Sequence, residues 1–351
     1  MNKFHYLTVT GIEKNTNDAV VITLETLSDG FKYHAGQYLT FRHEFEGEEL
    51  RRSYSICASE RAQKLCVAVK KVEGGAFSNF ANDTLKIGDQ LEVMRPEGKF
   101  TLGDIKDGSD LLMIAAGSGI TPIISQIETV LEGSKESKIT LIYGNKTPHS
   151  TMFRERLEEL KSLYMDRFSL IHVLSASPQD IELFSGRITR DRCRKIIKNW
   201  IGIERIDAVF ICGPEDMVHN VSDVLGQIGI DKSRIQYELF VSKKRKNGKA
   251  VSVTQTQKDV ELTVILDGTS HQFEMAHDQS VLDVARDNNL DVPFSCQGGI
   301  CSTCRCKILE GEGTMEVNHA LEDYEIEQGY ALSCQLMPRT KKLVISYDER
   351  H

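Results

Sequence analysis

At 351 residues the chain is too long for one ordinary domain, and two or three are expected. Its 40% apolar and 27% charged residues describe a globular protein, and the longest telling apolar stretch, residues 111–116, is far too short for a membrane span. The net charge of −8 is concentrated at one end: residues 261–351 hold 16 acidic and 7 basic residues, which speaks against nucleic acid and suits docking on a basic partner.

Residues 1–103 alternate like an antiparallel barrel. Strand-like runs fall at 20–24, 38–41, 53–57, 65–72 and 91–94, with turn residues between them and no long helical periodicity. One run carries Arg52-Ser53-Tyr54-Ser55, and period-2 alternation puts Arg52 and Tyr54 on one face, Ser53 and Ser55 on the other. An aromatic ring beside a hydroxyl and a guanidinium suits a flavin, which needs a stacking surface, bonds to its ring edge and a cation for its pyrophosphate. Gly74-Gly75-Ala76-Phe77-Ser78 then leaves a strand and opens a helix, where free N–H groups and the helix dipole form an anion seat. Taken singly, these patterns also describe a packed tyrosine and an ordinary capped helix.

Residues 104–240 change character. Strands at 111–116, 139–143, 169–174 and 208–212 alternate with helices at 121–131, 152–163 and 215–228, a βαβ series and hence a doubly wound parallel sheet. The first strand runs into Gly117-Ser118-Gly119-Ile120-Thr121-Pro122, whose glycines admit a nucleotide and whose proline suits a first helical turn. Pro122 stands near the place of the third glycine in the full dinucleotide fingerprint. The second strand ends in Tyr143-Gly144-Asn145-Lys146-Thr147, with no carboxylate for a ribose 2′-hydroxyl and room for a 2′-phosphate. The last strand ends in Cys212-Gly213-Pro214, at the carboxyl edge where open sheets bind ligands, although Cys212 alone also reads as a buried core thiol.

Residues 241–259 are polar and lysine-rich and read as a flexible linker. Beyond them come a hairpin, 262–266 and 272–275 around Asp267-Gly268, and a helix with Ser280 as its N-cap. The chain then reaches Cys296, Cys301, Cys304 and Cys334. Their C-x4-C-x2-C order with a distant fourth cysteine is the ligand spacing of a plant-type [2Fe–2S] cluster. Zinc favours paired C-x2-C knuckles. Nine cysteines behind a start with no apolar leader imply a reducing compartment, the cytoplasm, where a disulfide framework is not expected. Cys306 falls two residues past Cys304 on an expected strand and reads as structural.

Arg-x-Tyr-Ser, Gly-x-Gly-x-x-Pro and Cys-Gly-Pro, at these separations and with the cysteine segment behind them, resemble the ferredoxin–NADP reductase family extended by a plant-type ferredoxin domain. Within it, residues 47–57, 141–147 and Gly329-Tyr330-Ala331-Leu332-Ser333-Cys334-Gln335 are similar to the reductases of phenylacetyl-CoA ring epoxidases, a group of multicomponent di-iron monooxygenases. The resemblance implies a multidomain fold: an antiparallel β-barrel for FAD (1–103), an α/β doubly wound parallel sheet for NAD(P) (104–240), and an α+β β-grasp ferredoxin domain (260–351).

It implies that Arg52, Tyr54 and Ser55 hold the flavin and that the turn with Gly75, Phe77 and Ser78 holds its pyrophosphate. Gly117, Gly119 and Thr121 would bind the nicotinamide nucleotide, Lys146 and less directly Arg154 would meet a 2′-phosphate, and Cys212 and Gly213 would lie beside the nicotinamide ring. Phe240 would stand close to the flavin, the four cysteines would ligate iron, and Ser55 and Cys212 are the catalytic candidates. Nicotinamide gives up two electrons as hydride and the cluster takes one, so FAD is the converter. The expected route runs from NADPH, with NADH as the other option, through FAD and the cluster to the oxygenase component of a monooxygenase, with neither membrane nor nucleic acid involved. Plant-type clusters lie near about −400 mV, which makes the cluster step nearly uphill from a nicotinamide. A hybrid-cluster protein, a fatty-acyl desaturase or a Rieske oxygenase would serve as acceptor by the same chemistry. A flavin and cluster sensor without turnover is the reading of a different class.

Overall fold

The computed structural model describes residues 4–25, 31–240 and 259–349. The chain divides into two compact units, Phe4–Phe240 and the chain that follows it. The expected linker lies outside the described residues, apart from Asp259. Among the described residues no helix is long and apolar enough to cross a membrane.

The first unit opens with β1 (His5–Thr16), β2 (Ala19–Leu24), β3 (Tyr38–Phe45), β4 (Glu48–Ser55), β5 (Leu65–Lys70), helix α1 (Ala76–Asp83) and β6 (Gln90–Val93). The strands pair antiparallel in the order β4-β3-β6-β1-β2-β5, and a bridge between Ile56 and Val67 joins the two edges into a barrel. Leu7, Ile22, Leu39, Phe41, Val67 and Phe77 fill it. Strand β1 escapes the sequence pattern because its register shifts between Val9 and Gly11 and again between Lys14 and Thr16, which breaks the two-residue alternation.

There follow β7 (Asp110–Ala116), α2 (Ile120–Gly133), β8 (Lys138–Asn145), α3 (Arg154–Leu163), β9 (Phe168–Leu174), α4 (Arg190–Trp200), β10 (Ile206–Gly213), α5 (Glu215–Gln227) and β11 (Ile235–Leu239). The five strands form one parallel sheet in the order β11-β10-β7-β8-β9. The order of strand addition reverses at β7, and such a switch point opens a crevice at the carboxyl edge. Helix α3 starts two residues later than the apolar pattern suggests, because Phe153 sits at φ 57°, outside helical space. Barrel and sheet share a core in which Ala19, Cys57, Ala58, Cys66 and Phe100 meet Ile120, Ile123 and Ile127 of α2. Two side chains of α2 also bond to barrel-side carbonyls: Ser125 Oγ donates to Ala58 O (2.6 Å) and Gln126 Nε2 to Phe100 O (2.9 Å).

The C-terminal unit comprises β12 (Val260–Leu266), β13 (Thr269–Met275), α6 (Val281–Asp287), β14 (Arg305–Glu310), β15 (Gly313–Met315), α7 (Asp323–Glu327), β16 (Tyr330–Leu332), β17 (Leu336–Pro338) and β18 (Lys342–Ser346). Its main sheet has the order β13-β12-β18-β14-β16, and α6 packs its buried Val281, Leu282, Val284 and Ala285 into the same core. Asp267 (φ 50°) and Gly268 (φ 74°) both take the left-handed conformation that a tight two-residue hairpin demands. Ser280 caps α6 by accepting the Asp283 N–H at 3.2 Å.

Candidate functional site

The barrel supplies one wall of the site in the first unit. Tyr54 of β4 is half-buried, with Phe41 and Phe77 at ring distances of 5.9 and 5.4 Å, and burial pushes its phenol above the ordinary range. Arg52 is exposed and its Nη1 donates to the carbonyl of Arg51 at 2.7 Å. At the start of α1, Ser78 Oγ accepts the Val72 N–H (3.1 Å) and donates to Gly75 O (3.3 Å), closing the turn on itself. A Cβ on Gly75 would stand 2.6 Å from that hydroxyl and 3.1 Å from the Val72 carbonyl, so a larger residue would have to displace the Ser78 hydroxyl that closes the turn. The Phe77 ring is 1% exposed within the barrel core, which leaves its backbone as the part facing any ligand.

The sheet supplies the other wall. Gly117 takes φ 55°, and a Cβ on Gly119 would fall 2.3 Å from the Cys212 carbonyl oxygen and 2.8 Å from Gly213 N. The loop after β7 therefore rests directly on the end of β10. Tyr143 of β8 donates its hydroxyl to Gly117 O at 3.0 Å, and Thr121 Oγ1 donates to Ser118 O at 3.0 Å. Phe240 is half-buried against the shared core and its N–H donates to Gly213 O at 3.1 Å. Lys146 is exposed just past the end of β8, whereas Arg154 pairs with Glu158 at 2.8 Å on α3.

Between the walls, Ser55 Oγ of β4 donates to Glu238 Oε2 of β11 at 3.3 Å. Glu238 lies directly opposite Cys212 in the parallel register, so barrel, β10 and β11 each contribute one polar side chain. Burial raises the Glu238 carboxyl to about 8, against the opposing pull of the Ser55 hydroxyl. Cys212 is wholly covered, and burial first, then the Glu238 charge, push its thiol well above the usual range. Glu238 is the member that sequence reasoning did not single out. Its strand was not expected, and the tripeptide Glu238-Leu239-Phe240 drew attention only for its phenylalanine. Tyr54 as a stacking face, the glycine-shaped turn at α1 and the cradle over Cys212 fit a flavin and a nicotinamide nucleotide.

In the second unit the loop from Cys296 to Cys304 folds back on Cys334. The four thiols stand as two hydrogen-bonded pairs, Cys296 with Cys301 and Cys304 with Cys334. Among the described residues no three His, Cys, Asp or Glu side chains close around a single point. Two thiols for each of two irons is what a [2Fe–2S] cluster requires. Backbone donors aim at the sulfurs: Gly298 N–H and Cys301 N–H reach Cys296 Sγ at 3.4 and 3.3 Å, and Cys296 N–H reaches Cys301 Sγ at 3.4 Å. The bond with Cys301 and these N–H groups pull Cys296 down to about 6, while its partner Cys301 is driven up. Gln297 (φ 53°) and Gly299 (φ 74°) make the tight loop possible, and a Cβ on Gly299 would strike the Val317 carbonyl at 2.4 Å. Cys306 lies apart from this arrangement, its thiol donating to Ala331 O at 3.5 Å within the sheet. The donor set thus fits an iron–sulfur cluster.

Comparison with known proteins finds three domain families along the chain. Residues 7–102 match an oxidoreductase FAD-binding domain, 113–223 an oxidoreductase NAD-binding domain, and 264–339 a 2Fe-2S iron-sulfur cluster binding domain. The chain is 39% identical to one of the subunits of 1,2-phenylacetyl-CoA epoxidase from Escherichia coli (strain K12), over 100% of this chain and 99% of that one. It is 33% identical to the ferredoxin reductase component of 3-ketosteroid-9-alpha-monooxygenase from Mycolicibacterium smegmatis, over 98% and 97%. Phthalate dioxygenase reductase shares the fold, with a TM-score of 0.62 at 23% identity and coverage of 98% of each chain. The chain belongs to the family of NAD(P)H-dependent reductase components of multicomponent oxygenases, built from an FAD-binding, an NAD-binding and a [2Fe–2S]-binding domain.

Proposed function

We propose that this reductase draws electrons from NADPH and passes them through FAD and the [2Fe–2S] cluster to the oxygenase component of a phenylacetyl-CoA epoxidase-type di-iron monooxygenase, in the cytoplasm. The observation that carries the chemistry is the convergence of Ser55, Cys212 and Glu238 at the carboxyl edge of the sheet, beside the Gly117–Gly119 loop. The choice of acceptor leans on the relative from the epoxidase, whose likeness runs through the whole chain. Other relatives serve other monooxygenases, so the same electron transfer with a different acceptor is the second reading.

When bound, FAD accepts a hydride and releases electrons one at a time, which links a two-electron donor to a one-electron centre. The chain's part is to bind, orient and hold protons. Tyr54 offers a rigid face backed by Phe77, and Arg52 offers an exposed cation for a phosphate. Glu238, with a carboxyl near 8, keeps a proton at neutral pH, and Ser55 links it hydrogen by hydrogen to the barrel wall. Cys212 remains a neutral thiol, occupying space at the sheet edge and excluding water. Lys146, exposed just past the end of β8, is the cation that would meet a 2′-phosphate and so favour NADPH over NADH.

The test is reconstitution. The purified protein is expected to show flavin and iron–sulfur absorbance that bleaches with NADPH, to reduce cytochrome c, and to support epoxide formation with the oxygenase components of phenylacetyl-CoA epoxidase. Flavin absorbance that stays oxidised with either nicotinamide would remove the reductase reading. Bleaching without product would remove only this acceptor.

A further inference from the structure

Gln335 follows Cys334 directly and is a buried polar side chain, 3% exposed. Its carboxamide nitrogen has two N–H groups and two acceptors: the Gln297 carbonyl at 3.0 Å and Cys334 Sγ at 3.7 Å. Cys334 also receives the Gly299 N–H, so the tip of the cysteine loop is tied at two points, once to the fourth cysteine and once to its neighbour Gln335. One of these ties holds Gln297, a non-glycine residue at φ 53° whose side chain is itself gripped by Arg286 Nη1 at 3.2 Å. Left-handed backbone at such a residue is unfavourable and persists only where its surroundings fix it. A carboxamide buried beside a sulfur ligand therefore does two separable things.

We propose that Gln335 is a positioning residue that tunes the iron–sulfur centre: its N–H to Cys334 raises the reduction potential, and its other N–H pins the Gln297 carbonyl. Reduction adds one electron, supplied from the flavin side and later surrendered to the acceptor, with no bond to Gln335 made or broken. The added charge spreads onto the sulfurs, so a donor aimed at one of them favours the reduced form over the oxidised. The nicotinamide is only a marginal donor for a plant-type cluster, so an upward shift eases the step that the rest of the chain must drive. The inference rests on Cys296, Cys301, Cys304 and Cys334 holding the cluster.

The experiment is a redox titration of the full chain followed by electron paramagnetic resonance, with iron content measured in parallel. Gln335→Met keeps the volume and removes both donors, and Gln335→Glu keeps the shape and replaces donors by acceptors. At a fixed ambient potential Gln335→Met is expected to lower the reduced-to-oxidised ratio about three- to tenfold, and Gln335→Glu at least as much. Iron content is expected to fall in part. Adding Gln297→Gly, which relieves the backbone strain, should restore iron while leaving the potential low. A loaded Gln335→Met protein with an unshifted potential would overturn the proposal. So would a Gln335→Met protein that holds no iron even with Gln297→Gly, because Gln335 would then be structural only. Absence of an iron–sulfur signal in the unaltered chain would instead sink the ligand assignment on which the proposal stands.

Discussion

Cys212 and Cys296 are both thiols set at candidate redox sites, yet their surroundings drive them apart. Cys212 is wholly covered, has Glu238 opposite it and is pushed up by burial, while Cys296 is drawn down to about 6 by its bond with Cys301 and by backbone N–H groups. Burial acts on both, and the direction of the neighbouring dipoles decides the outcome. A sheet edge buries Cys212 beside the protonated Glu238, so a neutral thiol survives there as a packing group. A loop with two left-handed residues turns its N–H groups onto Cys296, so that sulfur is favoured as a thiolate while its bonded partner Cys301 is held as the thiol.

The comparison breaks first if the two sites are not separable. Cys301→Ser is expected to abolish iron–sulfur absorbance and lower cytochrome c reduction about a hundredfold or more, while ferricyanide reduction by NADPH through the flavin continues. Loss of both activities together would deny the division. The next effect concerns the cradle over Cys212. Gly119→Ala drives a methyl against the Cys212 carbonyl, only 2.3 Å from where its Cβ would lie, and should destabilise the fold by about 2 kcal/mol and raise the KM for NADPH, seen in thermal unfolding and steady-state kinetics. An unchanged melting temperature and KM would show that the loop does not rest there.

Smaller effects sharpen the picture of the sheet edge. In Lys146→Ala the ratio of kcat/KM for NADPH over NADH should fall about tenfold, and a constant ratio would take Lys146 out of coenzyme selection. Glu238 titrates higher in the fold than the ordinary 4.5, at about 8, so the folded state holds a proton that the unfolded chain has released. Its contribution to stability is therefore lost as pH rises from about 4.5 through 8, and Glu238→Gln should flatten that part of the stability profile. A slope that stays the same across this window in Glu238→Gln would assign it to other groups.

Much of this was legible in the chain because the glycines and cysteines announce themselves. Gly119 and Gly299 stand where backbone approaches backbone, and no larger residue fits, so motif and geometry coincide. Helix α4 was missed because its sequence, RDRCRKIIKNW, buries only Cys193, Ile196 and Ile197, too thin a stripe to stand out from its charges. Strand β11 was missed as a short edge strand with a single fully buried residue, Leu239. Glu238 was invisible for a different reason. Its importance arises from a bond to Ser55, 183 residues away in sequence, and no local pattern encodes that. Arg154 illustrates the converse: its charge and position were plain, but its partner Glu158 one turn along the helix was not weighed.

The core shared between barrel and sheet carries a consequence for ancestry and for protein engineering. Ala19, Cys57 and Phe100 pack against α2, and α2 against them, so removing either half lays bare an apolar face on the other. They should melt together in one calorimetric transition and resist being recombined with foreign counterparts. The iron–sulfur unit, which fills its own interior with Val264, Leu282, Leu332 and Ile345, is the part that gene fusion and fission can move from one reductase to another.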